Sequence, residues 1–506
     1  MGLDPEEVLI HQRRLQEVLD GRREVTLKIL DTCRFENHGI LPSEWLPSQW
    51  SPSVEGFVAF IPAAGASSRY YGPLDTLRYL LKSADRSGLV EALRELHKQG
   101  ADEWSLPASL ASLVADPKKA LLLTPEECKA LIYETEVPKA LLPCTKDGMT
   151  FYEMKLKEHQ SLTGINHQAF VVPTGQTEIF NKIPGNNGLD ISFLEQGPSL
   201  STVRFTSSGQ PWRDPDTGGA SLVPAGHGTL VRLFRSCGKM SGSCHSLFIR
   251  NIDNVMGTSE PVVKATENFL SGHQWLLAQV KVIRKALLDD CIEECHKVCI
   301  DLLHALGGRS MSQESKSFIE SQPKETQPLW MVQIDGFQMD CALIHNIAEI
   351  KGISLDESML AWLFNRPVNT LGQVPNSGDD VGGTPAWVET PMGKVKVCLE
   401  VPHASQQDFD TFLADPKKAT HFNPVFVGAE IPNSDDAYDH GSSPFWLMAK
   451  KKYQGDNVYY HETILYELLG NNLEANAIFV EVPRLVFNPH KVLADSAGRN
   501  NTHWLS

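Results

Sequence analysis

The chain has 506 residues, 42% hydrophobic and 21% charged, a globular balance that excludes a wholly disordered polymer; its 37 Gly and 31 Pro follow no triplet period, which excludes collagen. Forty-six Lys and Arg against 62 Asp and Glu leave a formal charge of −16, which argues against a nucleic-acid duplex as partner, because phosphate neutralisation needs clustered cations. A phosphorylated ligand would require a few placed cations, a metal ion, or both.

At about 150 residues per domain the length suggests roughly three domains. The first 21 residues carry charges within their apolar pattern, so they do not read as a signal peptide, and no window approaches a spanning helix. Ten scattered cysteines suit a reduced protein, and the expectation is a cytoplasmic one with no membrane partner. Cys291, Cys295 and Cys299, spaced four apart, share a helical stripe with Leu287, Leu288, Leu302 and Leu303, which predicts burial as small hydrophobes rather than a metal site.

In chain order, residues 5–35 read as one or two helices, with Val8, Leu15, Val18 and Leu19 on one face. A Pro-, Ser- and Trp-rich passage then marks a boundary near residue 52, leaving 1–52 as a helical extension and 496–506 as a tail. Apolar runs rich in β-branched and aromatic residues at 56–62, 167–173, 246–253, 331–335, 395–401 and 477–483 read as buried strands. Helical patterns lie between several of them. The alternation predicts an α/β core over 53–495 with a largely parallel sheet. Residues 74–136, with a cap at Thr124-Pro-Glu-Glu127, and the amphipathic stretch ending at Gly307-Gly308 read as helical insertions. The polar segment 309–328 reads as an exposed linker closing the second insertion (about 260–328), and 329–495 forms the remaining half of the core.

Four segments carry candidate chemistry. In Pro62-Ala-Ala-Gly-Ala-Ser-Ser-Arg69 a strand runs into small residues, so the backbone N–H groups of Ala64, Gly65, Ala66 and Ser67 could converge on phosphate oxygens while Arg69 grips one with its fork. An ordinary tight turn has the same composition. Val137-Pro-Lys-Ala-Leu-Leu-Pro143 holds Lys139 between prolines, either as a phosphate cation or as an exposed lysine before a helix. Val223-Pro-Ala-Gly-His-Gly228 sets His227 between Gly226 and Gly228, permitting close approach to a base or sugar, or simply closing a hairpin. Phe248-Ile-Arg-Asn-Ile-Asp-Asn-Val255 puts Asp253 near the carboxyl end of a strand, where α/β sheets bind ligands and where a carboxylate suits Mg²⁺; the plainer alternative is a turn cap.

Taken in order, these segments resemble the signature of nucleotidyltransferases that join a nucleoside triphosphate to a phosphorylated small molecule. The P-x-G-H-G and N-x-D-N units are similar to the UDP-sugar pyrophosphorylase branch. The G-H-G, N-I-D-N, N-R-P, T-H-F-N-P and F-V-E-V-P…F-N-P-x-K segments further resemble a bacterial family, the domain of unknown function 4301, over about residues 56–495.

The resemblance implies a GT-A-like (Rossmann-like) nucleotidyltransferase fold, α/β with a mixed, mainly parallel sheet flanked by helices and interrupted by helical insertions, with a sugar-binding half at 329–495. It implies Mg²⁺ as cofactor, a nucleoside triphosphate and a sugar 1-phosphate as partners, and a nucleotide sugar and pyrophosphate as products. By the same resemblance Arg69 and Lys139 hold the triphosphate and Lys491 the sugar phosphate. Gly226, His227 and Gly228 line the nucleoside, Glu400 and Asn423 read sugar hydroxyls, and Asp253 binds the metal with Glu481 or, alternatively, Asp335 as second ligand. A GT-A glycosyltransferase and a non-catalytic ligand sensor are the competing readings; the two phosphate-gripping cations argue against the first. Two departures stand out. The gap between Arg69 and Lys139 is far wider than usual, and Ser67 replaces a second loop glycine, as in the branch handling CTP or GTP, which leaves the base open.

Overall fold

The computed structural model describes residues 5–22, 26–46, 54–64, 68–83, 85–98, 106–135, 137–145, 147–183, 190–214, 218–242, 244–308, 311–378, 383–432, 446–453, 456–463 and 474–490. The chain is mixed α/β, with a mainly parallel main sheet and flanking helices, as the alternation of apolar runs and helical patterns predicts. It divides into two compact units. The first comprises Met1–Val58, Gln196–Ile249 and Glu267–Arg484; the second comprises Ala59–Glu195, Arg250–Thr266 and Leu485–Ser506.

In the first unit the strand Val368–Pro375 is buried over all but its last residue. It pairs in parallel with Asn476–Glu481 and antiparallel with Phe426–Glu430 and His421–Phe422. Burial explains why Asn476–Glu481 reads as an apolar run, whereas Val368–Pro375, equally buried, gave no such signal because it carries Asn369, Thr370 and Gln373 inside. A second, antiparallel sheet has the order Lys28–Thr32, Thr384–Thr390, Gly393–Leu399. The helices His296–Leu306, Cys341–Lys351 and Glu357–Asn365 each add an i, i+3, i+4 apolar face to one core, including Leu302 and Leu306, Leu343, Ile344 and Ile347, and Met359, Leu360 and Leu363.

Several local expectations for this unit need correction. The segment expected to continue the N-terminal helices to residue 35 instead forms the strand Lys28–Thr32, because its residues pair with Thr384–Thr390. The 331–335 run is a wide helical turn, Val332–Gly336, with all five residues buried: a short apolar run has the same composition in a buried helix as in a strand. The supposed linker contains the helix Gln313–Ser321, capped by Ser312 accepting from the Ser315 N–H, with Ile319 in the core. Cys295 and Cys299 are core residues as expected, whereas Cys291 is exposed.

The N-terminal helix Pro5–Leu19 sets Leu15 into a small core with Val203, Phe205, Trp446 and Met448. Beside it the His11 ring stacks on His461 at 3.9 Å between centroids, and Arg14 lies 2.8 Å from His461 Nε2 and over the Trp446 ring.

The second unit is built on the strands Phe57–Pro62, Ile165–Pro173 and Asp190–Gln196, adjacent in that order. The expected insertion is helical: Ser68–Ser83, Arg86–Lys98, Ala108–Ala115, Pro117–Leu122 and Pro125–Thr135 follow one another. The last begins with a reciprocal cap in which the Thr124 N–H donates to Glu127 at 2.8 Å and the Glu127 N–H donates to the Thr124 hydroxyl at 3.2 Å. A second such box, Thr150 with Glu153, opens the helix Phe151–Gln160.

Candidate functional site

In the second unit three distant stretches of chain meet around Asp253. Pro138 ends an extended residue, and Lys139–Leu141 folds into a single tight turn that buries the Lys139 side chain to 1% exposure. Its ammonium donates to the His490 carbonyl oxygen at 2.6 Å and to Asp253 Oδ2 at 3.3 Å, and lies 5.4 Å from the centre of the Phe151 ring. The Asp253 side chain keeps 14% exposure against 1% for Lys139, so of the pair the carboxylate is the partner that reaches the surface.

The 485–490 segment runs alongside the Asp253 loop. The His490 N–H donates to the Asp253 carbonyl, the Val255 N–H to the Asn488 carbonyl, and the Asn488 N–H to Asn254 Oδ1, all within 2.8–3.0 Å. The His490 ring packs edge-on against Phe151, and burial, followed by the charge of Lys139, pushes it down to about 4, so it is neutral at pH 7.

Beneath the loop lies a dry cluster of charge. Glu158 accepts from Lys155 at 3.0 Å and from Arg250 at 2.8 Å through Oε2, and from the Met256 and Gly257 N–H groups at 2.6 and 3.1 Å through Oε1. Lys155 and Arg250 both also donate to the Asn254 carbonyl, Arg250 at 2.7 Å. The side chains of all three charged residues are fully buried. Burial alone would raise the Glu158 carboxyl, but the two adjacent cations outweigh it and hold it well below the usual carboxylate range. Burial, reinforced by Arg250, pushes Lys155 below the usual lysine range.

The structure thus brings Lys139 and Asp253 together and surrounds them with four residues that the sequence did not flag for chemistry: Lys155, Glu158, Arg250 and His490. The helix 151–160 offers charges three apart in a pattern that normally marks a solvated face, so their burial leaves no periodic signal. The strand Phe57–Pro62 is wholly buried and leads to Ala63, whose N–H donates to Val171, and to a half-buried Ala64. Gly65, Ala66, Ser67 and Lys491 lie outside the described residues. Arg69 falls in the first turn of Ser68–Ser83.

The remaining flagged residues belong to the first unit. Gly226 has φ +90°, and a Cβ there would lie 2.6 Å from the Thr463 carbonyl oxygen, so the loop requires glycine. Main-chain bonds from Gly228 to Thr463 and from Thr463 to Ala225 close it, and His227 opens the following turn, His227–Leu233. Glu481 ends its strand with Oε2 3.0 Å from Nε2 of the buried His421. Asn423, two positions on from His421, donates through Nδ2 to the Gly372 carbonyl and accepts from the Val425 N–H, holding β-branched Val425 at φ +61°. Glu400 is exposed, its N–H donating to His403 Nδ1. Asp335 is buried in the 332–336 turn and accepts from the Gly308 N–H.

Among the described residues no three His, Cys, Asp or Glu side chains gather so as to hold a metal ion by themselves. Both Glu158 oxygens are committed to cations and backbone, and Asp253, paired with Lys139 and 14% exposed, is the more exposed carboxylate of the cluster. Mg²⁺ is commonly held by one or two carboxylates, with waters and substrate phosphates completing its shell, so Asp253 fits an ion that arrives with a polyphosphate. No described helix is long and apolar enough to cross a membrane.

A family model, the domain of unknown function DUF4301, matches residues 316–498. No curated protein matches the sequence. Among solved structures the chain is similar to a UDP-glucose phosphorylase from Trypanosoma brucei, at 13% identity over 98% of this chain and 75% of that one, with a TM-score of 0.48. It is similar also to a point variant of UDP-glucose pyrophosphorylase from Leishmania major in complex with UDP-glucose, at 12% identity over 96% of this chain and 74% of that one, TM-score 0.46. Open and closed structures of the Leishmania major enzyme align over 97% of this chain and 78% of that one at 12% identity, TM-score 0.42.

Proposed function

We propose that the chain is a nucleotidyltransferase that joins a nucleoside triphosphate to a sugar 1-phosphate, releasing pyrophosphate, with Mg²⁺ as cofactor. The observation that carries this reading is the 3.3 Å pairing of Lys139 with Asp253, which unites two motifs 114 positions apart in a single cation–carboxylate cluster.

The chemistry asks little of the protein in proton transfer. A sugar-phosphate oxygen, already ionised, attacks the α-phosphorus; the new O–P bond forms as the bond to the β-phosphate oxygen breaks, and pyrophosphate leaves with the electron pair. Positioning and charge stabilisation then supply the rate, as in phosphoryl transfer generally. Lys139, buried and anchored by the His490 carbonyl, places a fixed positive charge beside Asp253 that would act on bound phosphate through space, without the entropy of ordering a free lysine. Asp253 would hold the metal, which neutralises phosphate charge when bound. The neutral His490 ring adds no competing charge to the cluster.

In the same reading Arg69 and the 64–67 backbone contribute to phosphate binding, Lys491 holds the sugar phosphate, and Gly226, His227 and Gly228 serve the nucleoside. Glu400 and Asn423 read the sugar. The test is pyrophosphate release from a panel of nucleoside triphosphates and sugar 1-phosphates with Mg²⁺, repeated with Asp253→Ala. The variant should fold and lose turnover by at least roughly a hundredfold, on the scale of losing one electrostatic catalytic group. Near-parental pyrophosphate release by Asp253→Ala would sink the assignment.

A further inference from the structure

The loop that presents Asp253 is not shaped by its own sequence alone. Residues 251–257 contain a glycine only at the far end, Gly257 at φ +80°, and no regular strand or helix continues through them. Two consecutive N–H groups, those of Met256 and Gly257, turn inward onto one oxygen of Glu158. On the other side of the turn the Asn254 carbonyl turns inward onto Lys155 and Arg250, the two cations that Glu158 neutralises through its second oxygen. The carboxylate therefore grips the segment after Asp253 directly and the segment beside it through two cations.

We propose that Glu158 is a positioning residue for Asp253: its carboxylate fixes the 254–257 turn and thereby the direction in which the Asp253 side chain points. The inference rests on the role given to Asp253 above. Glu158 itself touches no ligand, because all its acceptor capacity facing the loop is taken by backbone and cations. Buried groups that orient a metal-holding residue commonly govern affinity and rate nearly as strongly as the ligand itself.

Two substitutions in the full chain separate holding the turn from balancing the buried charge. Glu158→Asp keeps the negative charge near Lys155 and Arg250 but withdraws it by one methylene from the Met256 and Gly257 N–H groups. Glu158→Gln keeps an oxygen at the N–H groups and gives up the charge. With Glu158→Asp, amide exchange at Met256 and Gly257 should accelerate, Mn²⁺ affinity measured by titration should fall roughly tenfold or more, and kcat should fall with little change in KM for the triphosphate. Glu158→Gln, whose amide nitrogen would face Lys155 and Arg250, should lower the denaturant midpoint, yet exchange at Met256 and Gly257 and Mn²⁺ affinity should move less than in Glu158→Asp. Parental exchange in a folded Glu158→Asp, or exchange at Met256 and Gly257 accelerated more in Glu158→Gln than in Glu158→Asp, overturns the proposal; if Glu158→Asp does not fold, local exchange at these two amides in Glu158→Gln that exceeds the acceleration of the slowest amides of the chain overturns it alone. A parent that neither binds Mn²⁺ nor releases pyrophosphate removes the functional reading, whereas the exchange experiment still decides what Glu158 holds.

Discussion

Two buried arginines show different ways of keeping a guanidinium out of water. Arg250, in the second unit, meets a carboxylate at 2.8 Å, and Glu158 offsets part of the burial that pulls its proton affinity down. Arg366, in the first, donates among others to the Leu363 carbonyl at 3.1 Å, Gln333 Oε1 at 3.2 Å, Met339 Sδ at 2.8 Å and Asn476 Oδ1 at 2.6 Å. Burial pushes Arg366 down to about 9, with the charge of Glu474 opposing the shift. Arg366 ties the end of the helix Glu357–Asn365 to the first residue of the strand Asn476–Glu481. Around Arg250 the anion is itself fully buried, and its remaining lone pairs are spent on the loop that carries Asp253. The difference suggests that a carboxylate is buried where it organises a backbone turn as well as a cation.

The largest test of this contrast is Glu158→Ala. It would strand Lys155 and Arg250 in a dry interior with one anion fewer, and removing one partner of a buried ion pair costs about 3–5 kcal/mol. The denaturant midpoint should fall accordingly, because natural domains are stable by only about 5–15 kcal/mol. Arg366→Met should cost less, about 1–3 kcal/mol, since it leaves the acceptors on Asn476 and Gln333 short of a donor but strands no fully buried cation. An equal or larger loss for Arg366→Met would mean that the amide-held guanidinium is the more tightly integrated of the two, which reverses the comparison.

The same contrast explains which parts of the molecule were legible in the sequence. Five of the six apolar runs are strands, and the sixth, at 331–335, is a helical turn because packing rather than composition chose its backbone; the buried strands Val368–Pro375, Thr384–Thr390 and Phe426–Glu430 gave no such run, the first because Asn369, Thr370 and Gln373 interrupt it. Lys139 and Asp253 were legible because prolines and a strand end restrict where such residues can lie. Glu158 and Lys155 were not, because charged residues three apart on a helix look the same whether water or an arginine lies opposite. His490 was visible only as part of a motif ending in Lys491; its contribution to the cluster is made through main-chain atoms, which no side-chain pattern encodes. Asn423 shows the converse. Its motif was legible, and both ends of its side-chain amide bond to backbone within the first unit.

The smallest expected effect concerns how dry the Arg250 pocket is, and it is read in acid. His159 follows Glu158 on the same helix, is fully buried against Gln168, and is pushed down to about 3 by burial first and by the charge of Arg250 next. His273, in the first unit, bonds Thr370 and Ser246 and is also pushed down to about 3, by burial first and then by His245 and Lys281. Each ring stays neutral in the folded chain at pH values where the unfolded chain, titrating near 6.5, has already taken up a proton. The unfolded state therefore binds more protons between about 3 and 6.5, so stability present above pH 6.5 drains away as the pH falls through that window. Well below 6.5 each such histidine contributes a slope of ~1.4 kcal/mol per pH unit. Denaturant titrations at pH 7, 6 and 5 should show a shallower acid limb for His159→Gln and for His273→Gln, by similar amounts, because burial leads in both. If His159→Gln leaves the acid limb unchanged, the ring beside Arg250 already titrates like a solvated one. Water would then reach the cluster, Glu158 would be screened from its cations, and the contrast between the two arginines would lose its physical basis.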